Sequence, residues 1–306
     1  MSCYHPLYAF KTPWTNENGK SELVFCSSKT DDFFHDAKKL KQKYRDRLVP
    51  IPCGRCLGCR LDQAKEWSVR CVLESSLYDD NCFITLTYDE AHCPDRLSKK
   101  DFQNFMKRLR SAHPECKIRF FGCGEYGSKN GRPHYHIILF NFDFKDREYW
   151  CDDGVSKLFR SKELEKLWTF GISSVGEVSL ESCSYVARYS NKKQSNARGD
   201  EFLLMSRRPG LGAQWYLDHK DVIYVADKVY GSFGSTHKAS VPRYFDKLAV
   251  AEDFVDMDYI KAKRLKVSQL RNDYLVHLHG YEHDEYLSQL LEFITATKLA
   301  SCRRYI

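Results

Sequence analysis

The sequence predicts an α+β fold: a central antiparallel sheet with helices packed on it, a cysteine-rich segment before it and a helical tail after it. Three observations carry this. Short β-branched and aromatic runs alternate with stretches of helical periodicity in the order β-α-β-β-α-β-α. Two of the runs are joined by Gly127-Ser128-Lys129-Asn130-Gly131, whose Asn-Gly step is strong hairpin chemistry and makes the strands antiparallel. Cys53, Cys56 and Cys59 stand at C-x2-C-x2-C just before the first long helix.

Each element has its own warrant. Residues 1–60 look irregular, with a short helix at 38–48 broken by Pro50, Pro52 and Gly54. Residues 61–78 read as a helix: Leu61, Ala64, Ser68, Val72 and Ser75 mark one face, widened by Trp67 and Leu73. Residues 83–88 are a strand. Ser98 caps a helix ending about residue 112, with Phe102, Phe105, Met106 and Leu109 as its apolar stripe. Residues 118–142 form a hairpin, and a less regular segment carries Trp150 and Gly154. A helix near 161–169 contains Leu164, Leu167 and Trp168; a strand at 172–178 and a helix at 181–193 follow. An extended region runs from 207 to 244, and the tail is largely helical from 250 to 300. The natural divisions are a cysteine-rich segment at 1–60, a core at 61–200 and an extension at 201–306.

Composition narrows the class. With 42% hydrophobic and 29% charged residues, the 306-residue chain can bury a full core and is not a disordered polymer. Its apolar runs fall far short of the roughly 20 residues a bilayer-spanning helix needs, so no membrane partner is expected. A net charge of +7 suits a polyanionic partner. The 19 tyrosines and 19 phenylalanines include rings that can stack on unpaired bases, although most are needed for the core. The run Met1-Ser2-Cys3-Tyr4-His5-Pro6 lacks the apolar stretch of a secretory signal. With 13 cysteines, an odd number, reduced thiols inside a cell are expected, some of them reserved for metal.

The stretch Arg132-Pro133-His134-Tyr135-His136-Ile137-Ile138-Leu139-Phe140 is the most informative. Alternation puts His134 and His136 on one face with Ile138 and Phe140, and Tyr135, Ile137 and Leu139 on the other. If the turn centres near residues 129–130, Glu125 lies across from His134 and Cys123 across from His136. Cross-strand neighbours on one face are about 5 Å apart, so Glu125, His134 and His136 can converge on one ion. Carboxylate plus imidazole suits Mg²⁺ or Mn²⁺, with water and phosphate oxygens completing the shell. Cys123 as a fourth ligand would favour zinc instead. A polar-faced strand with two satisfied histidines gives the same alternation; the facing glutamate is what favours a metal.

On the helix at 181–193, Tyr185 and Tyr189 are four residues apart and share a face, with Lys193 one turn further on. A phenol is a poor nucleophile near neutrality, but Arg188, Lys192 and Lys193 favour its anion, and a metal on a phosphate makes phosphorus more electrophilic. A tyrosine pair packed on the sheet beside a solvated basic helix end is the alternative for this helix alone. Together with the histidine strand, the pair points to an enzyme that cuts DNA and keeps one end covalently attached.

These residues together resemble the HUH endonucleases, in which two histidines flank a hydrophobic residue and tyrosines attack DNA. They are closer to the replication initiators of small single-stranded DNA phages of the microvirus group, of gokushovirus type. The resemblance rests on Phe83-Ile84-Thr85-Leu86-Thr87-Tyr88, Gly124-Glu125-Tyr126-Gly127, Gly131 to His136, Tyr185 to Lys193, Pro52-Cys53-Gly54-Arg55-Cys56-Leu57-Gly58-Cys59 and Arg208-Pro209-Gly210-Leu211-Gly212. It covers about residues 1–245. It implies a palm-like HUH nuclease core and rolling-circle replication initiation in the host cytoplasm. Tyr185 or Tyr189 would attack the origin phosphodiester, leaving a 5′-phosphotyrosine link and a 3′-OH for the host polymerase. The second tyrosine would cut again after one round, and rejoining would release a circle. Glu125, His134 and His136 match the family's metal ligands. Lys192 or Lys193 would stabilise charge, and Arg132 and Arg188 would contact DNA. The tail at 250–306 offers a surface for a host helicase.

Cys53, Cys56 and Cys59 need a fourth thiolate or imidazole to complete a tetrahedral zinc, from Cys3, His5, Cys26 or Cys71. The resemblance favours Cys3, because the group carries a similar cysteine near its N-terminus. An iron–sulfur cluster or simple buried thiols are the alternatives. For the whole chain, the competing functions are a transposase or relaxase of the same chemistry, or a zinc-containing nucleic-acid-binding regulator without catalysis.

Overall fold

A computed structural model describes residues 3–15, 21–25, 48–127, 131–152, 157–188, 200–279 and 291–298. The chain divides into two compact units, Met1–Asp62 with Leu265–Tyr305, and Gln63–Arg264.

In the larger unit, seven strands form one sheet in which each hydrogen-bonded pair is antiparallel. The strands are β4 (Asn81–Tyr88), β5 (Arg119–Tyr126), β6 (Pro133–Phe140), β7 (Glu148–Asp152), β8 (Lys157–Arg160), β9 (Gly171–Gly176) and β10 (Phe202–Met205), in the order β10-β5-β6-β4-β9-β8-β7. β6 is therefore internal, flanked by its hairpin partner β5 and by β4. The expected α+β class with a central antiparallel sheet is what the chain adopts.

Two cores lie on the two faces of this sheet. On one, Ile84, Leu86, Tyr135, Ile137 and Leu139 meet α2 (Lys99–Ala112) and Leu164 of the short α3 (Lys162–Leu167). The buried residues of α2 are Phe102, Phe105, Met106 and Leu109, the expected stripe, each contributing about 2 kcal/mol of burial. Ser98 caps α2, its side chain accepting from the Asp101 N–H. Gly122 and Gly124 let this layer approach: a Cβ at Gly124 would lie 2.8 Å from Leu97 and Phe202. On the other face, Phe121, Cys123, Ile138 and Phe140 meet α1 (Leu57–Ser75), α4 (Leu180–Arg188) and α5 (Ala213–Ala226).

A buried polar hub locks the start of β5. Arg119 pairs with Glu74 of α1 and donates to the Pro209 carbonyl at 3.0 Å. Glu74 accepts from the Gly212 N–H at 2.6 Å, and Arg70 donates to the Leu211 carbonyl at 3.1 Å. The backbone of the Arg208 to Gly212 motif is thus used to satisfy buried charge.

Some expectations need correction. Residues 1–60 are not irregular throughout: β1 (Leu7–Thr15), β2 (Ser21–Phe25) and β3 (Leu48–Ile51) form an antiparallel sheet in the order β2-β1-β3. The helix expected at 38–48 lies outside the described residues except for Leu48, which is in β3. The segment around Trp150 is the β7–β8 pair, and the region from 207 to 244 holds α5 and a hairpin, β11 (Lys228–Phe233) with β12 (Thr236–Ser240). In the tail, α6 (Arg243–Ala251), α7 (Met257–His279) and residues 291–298 are helical, as expected.

Candidate active site

The hairpin register is the one the turn chemistry predicts: Glu125 pairs with His134 and Cys123 with His136. All four side chains belong to the sheet face that carries Ile138 and Phe140. Glu125 is 2% exposed and His136 7%, so a carboxylate and an imidazole sit almost out of water at the end of a rigid strand pair. Glu125 Oε1 lies 2.9 Å from both His134 Nε2 and His136 Nε2. Burial pushes the Glu125 carboxyl up, but hydrogen bonds and charge from the two imidazoles outweigh it and hold the group at about 2.

The outer nitrogens define what faces inward. His134 Nδ1 is 3.0 Å from the Arg132 carbonyl, which only accepts, so Nδ1 carries the proton. In a neutral ring, Nε2 then turns a lone pair toward the carboxylate. His136 Nδ1 is 3.0 Å from Thr85 Oγ1, and with that hydroxyl accepting, His136 does the same. Electron-pair donors 2.9 Å apart repel unless the rings are doubly protonated or a cation lies among them. Cis ligands about 2.1 Å from an octahedral Mg²⁺ stand about 3.0 Å apart, so the donor set fits such an ion in both chemistry and spacing.

Tyr185 completes the cluster. Its hydroxyl donates to Glu125 Oε1 at 2.9 Å and lies 3.4 Å from His136 Nε2, with its ring edge-on to His136. It is carried there by α4, whose first turn is closed by reciprocal bonds between Ser179 and Ser182: each backbone N–H donates to the other's hydroxyl. Cys183, Val186 and Ala187 bury the opposite side of this helix.

The other expected residues fall differently. Tyr189, Lys192 and Lys193 lie outside the described residues. Arg188 ends α4 and is exposed. Arg132 donates to the Tyr88 carbonyl at 3.2 Å and lies 3.7 Å from Glu90. Cys123 is fully buried beside the trio, but the group of ligating atoms that converges is Glu125, His134 and His136 without it. Two site residues were not anticipated: Thr85, which orients His136, and Phe83, which stacks on the His136 ring at 5.7 Å. Their strand β4 pairs with β6 so that Thr85 faces His136, and the alternation of β4 already puts Phe83, Thr85 and Thr87 on one face.

A second convergent group is Cys3, Cys53, Cys56 and Cys59. Of the four candidates for the fourth position, the structure brings Cys3. His5 pairs with Glu292, Cys71 is buried in the core beside α1, and Cys26 lies outside the described residues.

Fold and site together define an α+β protein with a carboxylate–imidazole trio on an internal strand pair and a tyrosine hydroxyl against it. Over residues 81–194 the chain matches the family model of ORF2-type replication-associated proteins. It is 32% identical to replication-associated protein VP4 of Bdellovibrio phage phiMH2K, over 80% of this chain and 83% of that protein. It is 35% identical to replication-associated protein ORF2 of Spiroplasma virus 4, over 72% of this chain and 74% of that protein. A 28% identity to replication-associated protein ORF4 of Chlamydia phage 1 covers 80% of this chain and 64% of that protein. The chain belongs to this family of phage replication-associated proteins, in line with the microvirus-type resemblance of its motifs. No solved structure matches it. Among the described residues, no helix is long and apolar enough to cross a membrane.

Proposed function

We propose that this protein initiates rolling-circle replication of a phage genome by nicking single-stranded origin DNA and later rejoining it. The observation that carries this is the placement of the Tyr185 hydroxyl 2.9 Å from a carboxylate oxygen that two imidazoles share. Mg²⁺ or Mn²⁺ held by Glu125, His134 and His136 would polarise the scissile phosphate. Glu125 accepts the Tyr185 hydroxyl hydrogen bond and so aims the phenol oxygen. Tyr185 Oη forms a bond to phosphorus as the P–O3′ bond breaks, leaving a 5′-phosphotyrosine link and a 3′-OH. The burial of Glu125 and His136 limits competing attack by water.

Helical periodicity puts Tyr189 one turn beyond Tyr185, where it takes the second cut. Lys192 or Lys193 offsets the phosphate charge, and Arg132 and Arg188 hold the strand. The partners are single-stranded origin DNA and the host polymerase and helicase, so the protein acts in the host cytoplasm. The test is incubation with Mn²⁺ and single-stranded origin DNA. An SDS-stable protein–DNA adduct is expected, with the DNA-linked tryptic peptide containing Tyr185 or Tyr189. The adduct should vanish when both become Phe. Its absence across many origin sequences would leave a binding protein without catalysis.

A further inference from the structure

We propose that Cys3, Cys53, Cys56 and Cys59 hold one Zn²⁺ as a four-thiolate site, and that this ion fixes the surface on which the helix at residues 291–298 docks. The four sulfurs lie within 4.8 Å of one another, and those of Cys3 and Cys56 are 3.9 Å apart. Sulfurs about 2.3 Å from a tetrahedral zinc are about 3.8 Å from each other, whereas a disulfide needs about 2.05 Å. All four are free cysteines. An iron–sulfur cluster, with several irons between its ligands, spreads thiolates more widely than this.

The backbone around them is arranged for anionic sulfur. The Cys53 N–H donates to Cys3 Sγ at 3.3 Å, the Cys56 N–H to Cys53 Sγ at 3.3 Å, the Arg55 N–H to Cys53 Sγ at 3.4 Å and the Tyr4 N–H to Cys56 Sγ at 3.4 Å. Gly54, at φ +73°, turns the chain so that Cys53 and Cys56 face one point. Such amide donors orient thiolates around a metal and offset their charge.

The docking helix touches the immediate neighbours of these ligands. Tyr4 and His5, which follow Cys3, meet Thr295 and Glu292: Tyr4 Oη is 2.9 Å from Thr295 Oγ1, and His5 Nε2 is 2.6 Å from Glu292 Oε2. Leu57, which follows Cys56, donates its N–H to Glu292 Oε1 at 3.1 Å. One carboxylate thus bridges two chain segments about 50 residues apart, and the same two segments supply the sulfurs. With the ion gone, four mutually repelling thiolates or weakly bonding thiols are left to hold the segments in register.

The test uses the full-length protein. Elemental analysis should find about one zinc per chain, retained when His134 and His136 are both changed to Ala, because the site is separate from the histidine strand. Cobalt should give the thiolate-to-metal charge transfer and strong ligand-field bands of tetrahedral sulfur coordination, lost in Cys3→Ser. If Cys3→Ser does not fold, Cys59→His, which keeps four ligands, should retain the metal with an altered spectrum. Hydrogen exchange at residues 291–298 should speed up by on the order of 10-fold after zinc removal. Glu292→Gln should speed exchange there while zinc stays bound. A wild-type protein that takes up neither zinc nor cobalt at the cysteines overturns the site. Exchange at 291–298 that is the same with and without zinc overturns the docking role.

Discussion

Glu125, His134 and His136 are held by two hydrogen-bonded strands inside a seven-stranded sheet, whereas Cys3, Cys53, Cys56 and Cys59 come from an irregular N-terminal stretch, a turn and the first turn of α1. The first group brings one carboxylate and two imidazoles, hard and intermediate donors that leave room for water and phosphate. The second brings four soft sulfurs, which fill a tetrahedron and leave no open position. The strand trio is placed by sheet register and by cores on both faces, so its geometry exists before any ion arrives. The cysteine group has little frame of its own and draws its order from what it binds. One arrangement suits chemistry on a substrate; the other suits holding chain segments together.

The sharpest way to break this contrast is Glu125→Gln. Covalent adduct formation with Mn²⁺ should fall at least about 10³-fold, the scale of losing a preorganised charge at a reacting centre. Zinc content should stay at its wild-type level; if zinc falls in step with adduct formation, the two centres are not independent. Glu74→Ala tests the claim that the strand trio depends on its frame. It leaves Arg119 buried without its partner and should lower stability in a urea melt by about 3–5 kcal/mol. Thr85→Val gives the smallest effect. Losing the hydroxyl at His136 Nδ1 should weaken Mn²⁺ binding by about 10- to 100-fold, with little change in the melt. Calorimetric titration of Mn²⁺ into the variant reads this directly, and unaltered affinity would show that Thr85 does not orient the ring.

The parts legible in the sequence were those set by short-range rules. The Asn-Gly turn and strand alternation fix the β5–β6 register, and with it Glu125 opposite His134. The α2 stripe and its Ser98 cap follow from local periodicity and capping chemistry. Thr85 was not legible because it reaches His136 across a pair formed by strands with α2 and β5 between them in sequence, and nothing local specifies that pairing. The β2-β1-β3 sheet was missed because β3 joins β1 after a long separation. α5 was missed because Leu217, Val222 and Val225 are exposed among its buried aromatics, which blurs the helical stripe, and because glycines just before it suggest extended chain.

The internal position of β6 has a consequence for how this site can vary. A one-residue slip along β6 would exchange His134 and His136 for Tyr135 and Ile137 at the ligand positions and drive both imidazoles into the apolar layer against α2. Neither face tolerates the exchange, since Tyr135, Ile137 and Leu139 are fully buried there. The strand therefore behaves as a fixed reading frame. Substitutions at constant length can retune the ion or the tyrosine's setting, while a single inserted or deleted residue between Pro133 and Phe140 scrambles ligand set and core in one step. Length changes among relatives are accordingly expected outside β5 and β6, which sequence comparison across this phage family can check directly.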